Sequence, residues 1–122
     1  MNKLACAFAA AALALSAAQP ALAATTANAV EISIGGIGPG VDQLAYKRVR
    51  ALIGDAIARG TADLFVVYGY GKEGGISSCV EASPFAEPGA FATFIKRLRQ
   101  IKPDPATTAY SVTPVDACAA AE

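Results

Sequence analysis

The stretch TADLFVVYGYGKEGGISSCVEA, residues 61–82, decides the fold. Residues 64–68 are a short run rich in β-branched and aromatic side chains, too brief for a buried helix, and Gly69 stops it. Gly69, Gly71, Gly74 and Gly75 then surround Lys72-Glu73. Glycine takes positive φ without steric cost, so this cluster suits a reversal with a bulge or a wide tip. On the return, Ile76, Ser78, Val80 and Ala82 alternate with Ser77, Cys79 and Glu81. That pattern predicts a sheet with one buried face and one polar face. The stretch reads as a β-hairpin.

Outward from the hairpin, the elements fall into order. Upstream, Val30-Glu31-Ile32-Ser33-Ile34 alternates strictly and predicts a strand with Val30, Ile32 and Ile34 inward, ended by GGIGPG at 35–40. Residues 41–59 change to helical spacing, with Val41, Ala45, Val49, Leu52 and Ala56 on one stripe flanked by Ile53. Asp42 sits in the first turn, where the helix dipole favours an acid, and Gly60 follows as a helix-ending glycine. Gly54 costs this helix about 1 kcal/mol relative to alanine, which a close approach to the sheet would compensate. Downstream, residues 83–88 form a loop with two prolines. In 90–102, Phe91, Phe94, Ile95, Leu98 and Ile101 share a helix face, and Pro103 ends the run. A last strand over 107–113 turns Tyr110 and Val112 inward, and the tail from Pro114 carries Cys118.

The order β-α-β-β-α-β, with right-handed crossovers, leaves room in each βαβ unit for a strand of the other. Interleaving predicts an α+β, ferredoxin-like βαββαβ sandwich: a four-stranded antiparallel sheet of order 4-1-3-2 with two helices on one face. The other face would carry Glu31, Ser33, Ser77, Cys79, Glu81, Ser111 and Thr113. Strands 3 and 4 would stand two positions, about 9.5 Å, apart. The tail is then expected to fold across strand 1 and to be stapled to strand 3 through Cys79 and Cys118.

Residues 1–23 have the form of a cleaved secretory signal: a basic start at Lys3, an apolar run, and the small-x-small site Ala21-Leu22-Ala23. Gln19-Pro20 cuts the run too short for a membrane span, and Cys6 comes before any completed apolar segment, which argues against a lipid anchor. Residues 24–29 read as a flexible arm and 30–122 as one small domain. Losing Lys3 leaves nine basic residues against ten acidic ones, a balance that points to neither nucleic acid nor an anionic membrane. In a periplasmic or secreted protein, Cys79 and Cys118 are expected to form a disulfide. With no histidine in the chain, a zinc site lacks its usual partners.

Catalysis has little to draw on. Without histidine there is no Ser-His or Cys-His dyad and no ordinary general base near neutral pH. Lys72 with Ser77 or Ser78, or Glu31 with Glu81 as a carboxylate pair, are the remaining combinations, and strand-face solvation explains the latter equally well. The glycine-rich 35–40 segment between strand and helix could offer N–H groups to an anion, but it matches neither phosphate-binding spacing and Pro39 removes one donor. Lys47, Arg48 and Arg50, with Lys96, Arg97 and Arg99, concentrate basic charge on the two helices. Strands 1 and 3 lack the aromatic platform of RNA-binding sheets.

The hairpin end, Tyr68, Tyr70, Lys72 and Glu73, combines amphipathic aromatics with a charge pair and is the expected contact surface. The resulting expectation is a small exported binding module for a protein or small ligand, with no catalytic residues, metal or cofactor. A protease-inhibitor-like or chaperone-like role is one concrete form, since subtilisin propeptides and their inhibitor relatives share the topology, an analogy of fold alone. The alternatives from other classes are a thiol- or carboxylate-dependent envelope enzyme, which needs free thiols or a working carboxylate, and a structural component of an envelope assembly, which needs oligomers.

Overall fold

The structure, a computed structural model, describes residues 27–120; the signal-peptide reading of 1–23 lies outside them. Six elements follow in order: β1 (Ala29–Gly36), α1 (Gln43–Ala58), β2 (Ala62–Tyr70), β3 (Gly75–Ala82), α2 (Ala90–Gln100) and β4 (Thr108–Val115). The strands form one sheet, β2-β3-β1-β4, or β4-β1-β3-β2 from the other edge, with every neighbouring pair antiparallel.

Alternation in the strands and 3.6-residue spacing in the helices meet in a single core. Val30, Ile32, Ile34, Ile76 and Val80 from the sheet pack with Ala45, Val49 and Ile53 of α1 and Phe91, Phe94, Ile95 and Leu98 of α2. Both helices therefore lie on one face. Each fully buried isoleucine or leucine in this layer contributes about 1.5–3 kcal/mol of hydrophobic burial. The Phe91 and Phe94 rings meet in a tilted pair, 5.6 Å between centroids. Ser78, on the same face, is buried and donates its hydroxyl to Ile32 O at 3.0 Å, so its polarity costs nothing unsatisfied.

Several details depart from the spacing. β1 begins at Ala29, which is fully buried and already paired with Glu81 and Val115. Asp42 lies just before α1 as its N-cap, its Oδ1 accepting from Leu44 N and Ala45 N at 3.1 Å each. α2 stops at Gln100, with Ile101 already extended two residues ahead of Pro103, which cannot continue a helix. Gly54 lies exposed with nothing within 4 Å of where a Cβ would stand, so no close approach to the sheet offsets its cost. Gly54→Ala should therefore raise unfolding free energy by about 1 kcal/mol, seen as a higher urea midpoint at unchanged slope. An unchanged midpoint would mean that the glycine has a role these contacts do not show.

The tail carries the chain from one edge of the sheet back toward the other. Cys118 and Cys79 form a disulfide with Cα atoms 5.7 Å apart, spanning 39 residues of sequence. The Cys118 N–H donates to Glu81 Oε2 at 2.8 Å, and the Tyr68 hydroxyl donates to Ala119 O at 3.1 Å. The tail thus leaves β4, passes β1, is bonded to β3 and reaches β2.

Candidate functional site

β2 is an edge strand and the least covered element of the sheet. It runs through Gly69-Tyr70, two residues beyond the run of β-branched side chains, so the turn itself is confined to 71–74. Its register against β3 shifts twice, leaving Asp63 and Tyr68 as extra, bulged residues. The second bulge explains where the two tyrosines point. Val66 stands opposite Cys79 on the open face, and Tyr68 joins Gly69 there, which brings its hydroxyl to the tail. Tyr70 stands opposite Ile76, on the helix side of the edge, and is 79% exposed. Leu64, Phe65 and Tyr68 are also exposed, so one edge shows four large apolar side chains.

The turn is less free than a glycine-rich tip suggests. Glu73 O accepts from Val41 N at 2.9 Å and Gly74 O accepts from Gly36 N at 3.1 Å, which dock the turn against the β1–α1 loop. A Cβ on Gly36 would stand 2.6 Å from Glu73 O, so the two segments touch backbone to backbone. Lys72 and the Glu73 side chain remain exposed. Of the four expected contact residues, Tyr70, Lys72 and Glu73 present free side chains at one end of the edge, while Tyr68 is half committed to the tail.

The other sequence candidates separate. Glu31 faces Cys79 and Thr113 across the sheet, whereas Glu81 faces Ala29 and turns its carboxylate to Cys118 N–H; the two acids sit on a diagonal and form no direct pair. Ser78 is buried on the helix side and Ser77 exposed on the other, which parts Ser78 from Lys72. The 35–40 loop does not offer a ring of free amides: the N–H groups of Gly36, Ile37, Val41 and Asp42 go to Gly74, Thr107, Glu73 and Thr108. Lys47, Arg48, Arg50, Lys96, Arg97 and Arg99 are all exposed, with the Arg50 guanidinium 5.5 Å from the Tyr46 ring centroid. Among the described residues the one ion pair is Arg59–Asp55, and no cluster of three or more Cys, Asp or Glu is arranged to hold a metal. No helix of the described residues is long and apolar enough to cross a membrane.

Two features escape a reading of the sequence. Asp42 is a clasp as well as a cap: its Oδ2 accepts from Asp104 N at 3.1 Å and its own N–H donates to Thr108 Oγ1 at 2.7 Å, joining the β1–α1 and α2–β4 loops. The Ala45 N–H, then the Asp104 N–H, hold its carboxyl below the usual aspartate value. A capping aspartate is visible in the sequence; its partners 62 and 66 residues away are not. The second feature is Phe85, 93% exposed in the loop between β3 and α2, where only the proline-rich composition hinted at a displayed side chain.

No protein-family model matches the chain, and neither a curated protein nor a solved structure matches it.

Proposed function

We propose that this chain is a small exported binding module of ferredoxin-like topology that holds a protein partner at the β2 edge, around Tyr70, and performs no turnover. The observation that carries the reading is the concentration of four exposed large apolar side chains, Leu64, Phe65, Tyr68 and Tyr70, along one edge strand. Isolated exposed apolar residues are ordinary; here Phe65 and Tyr70 on the helix side and Leu64 and Tyr68 on the open side flank one edge, a concentration of aromatic surface typical of an interface centre. The bulges at Asp63 and Tyr68 bear on how the partner is held. A bulged edge twists away from an added strand, so recognition here falls to side chains, with Tyr70, Lys72 and Glu73 as the accessible end. The topology rests on the β-α-β-β-α-β order and the sheet it builds. Export rests on the disulfide, which fits an oxidising compartment, together with the signal-like start of the sequence.

Crosslinking of the oxidised protein in periplasmic extract tests this directly. A discrete partner should be captured by the native chain and lost, about tenfold or more, on Tyr70→Ala, with the thermal midpoint of the variant unchanged. Equal capture by both proteins would remove Tyr70 from the site, and no capture by either would remove the reading. The protease-inhibitor form makes a narrower demand: the native chain slows peptide hydrolysis by subtilisin, and Tyr70→Ala relieves it.

A further inference from the structure

The two edges of the sheet differ. β2 is bulged twice, whereas β4 pairs with β1 from Ala29↔Val115 to Gly36↔Thr108 without a register shift. An edge strand without a shift presents outward N–H and C=O groups that an extended chain can match. The Ile37 N–H to Thr107 O bond sets the register, so Thr108, Tyr110, Val112 and Pro114 are the outward residues; proline has no N–H, and the free outward donors are Tyr110 and Val112. Among the described residues, the one backbone bond that β4 makes outside the sheet is Thr108 N–H to Asp104 O, at its start.

Beside this edge, on the helix side, a groove of about 490 Å³ runs between β4 and the end of α2. Ile101, Tyr110 and Val112 form its apolar floor, and the Tyr110 ring is pinned by its hydroxyl, which donates to Leu98 O at 2.6 Å. Arg99 and Lys102 stand on the rim, and no acidic side chain lines the groove. Asp104, two residues after Lys102, turns Oδ1 to the Ala106 N–H and forms no ion pair with either rim cation. The rim therefore carries two cations that no acid of the described residues pairs.

We infer that the β4 edge and this groove take an extended, acidic peptide segment of a partner protein, added as a fifth strand. Main-chain bonds to β4 supply the docking, and the period of two along a strand sorts the side chains. Every second peptide residue points to the helix side, where apolar ones meet Ile101 and Val112 and carboxylates meet Arg99 and Lys102. Charge selects this occupant over a second copy. β4 itself, TAYSVTPV, bears no acid, so a β4–β4 pair would bring two cationic rims together with nothing between them. The site is separate from Tyr70 and stands or falls independently of the β2 edge.

The probe is a dye-labelled octapeptide alternating threonine with valine and glutamate in turn, and its counterpart with lysine for glutamate. Saturable binding of the acidic peptide to the oxidised protein is expected by anisotropy, with the lysine peptide and the R99E/K102E protein each weaker by about tenfold or more. Backbone-amide NMR should place the shifts in β4 and the end of α2, and the outward Tyr110 and Val112 amides should gain protection from hydrogen exchange. Equal affinity for both peptides, shifts centred on β2, or no saturation by about 1 mM would each overturn the assignment.

Discussion

Gly75→Ala should cost the domain about 3–5 kcal/mol, a large share of the roughly 5–15 kcal/mol that holds a domain folded. Gly75 has φ +105°, a backbone conformation that side chains rarely adopt. A Cβ there would also drive into Ile34 O and stand 2.8 Å from Gly35 Cα. Both obstacles are backbone atoms of the neighbouring strand, held in the β1–β3 ladder by the pairing of Gly35 with Gly75. They cannot swing aside as a side-chain end would. The strain and the overlap therefore add, and the two central strands must separate to relieve them. Circular dichroism under urea reads the effect. A midpoint within about 1 kcal/mol of the native protein would show that the strands part more easily than their packing implies. Gly54→Ala is the built-in contrast, since the same substitution in open helix is expected to stabilise.

Removing the disulfide by C79A/C118A should lower stability by about 4 kcal/mol, which for a domain of this size is on the order of 20 °C in thermal midpoint. The bond closes a loop of 39 residues, so most of its effect lies in restricting the unfolded chain. Its native surroundings add to this, because Cys79 is fully buried and the tail's two hydrogen bonds, to Glu81 and from Tyr68, depend on the tail being held in place. Differential scanning calorimetry with and without reductant makes the same comparison on the native sequence. Coincident melts would mean that the tail is fixed by its hydrogen bonds alone and that the sulfur bridge is incidental.

Much of the architecture is legible because the strands obey simple periods. Val30, Ile32 and Ile34 alternate with polar neighbours and are buried where the alternation puts them; Phe91, Phe94, Ile95 and Leu98 do the same at helical spacing. The staple follows from topology, since a sheet with β1 between β3 and β4 leaves Cys118 only one strand to cross before Cys79. What stays hidden depends on backbone events that the alphabet does not encode. A bulge at Tyr68 sends two tyrosines to opposite faces, although their spacing of two would place them on one. Docking of the turn against the β1–α1 loop is a backbone-to-backbone contact, for which the sequence offers only a surplus of glycine. The groove beside β4 joins Arg99 to Val112 through tertiary packing, so neither residue announces it alone.

The tail also settles how the molecule would bear a mechanical load. β4 is an edge strand, and tension on it alone would peel its ladder from β1 one rung at a time. A pull applied beyond Cys118 instead passes through the sulfur bridge into β3, which is hydrogen-bonded to β1 on one side and β2 on the other. The 38 residues between the two cysteines, α2 and β4 among them, drop out of the load path. Tethered by that end to a surface or a larger assembly, the domain would resist extraction with its two central strands, and the β4 edge would be spared.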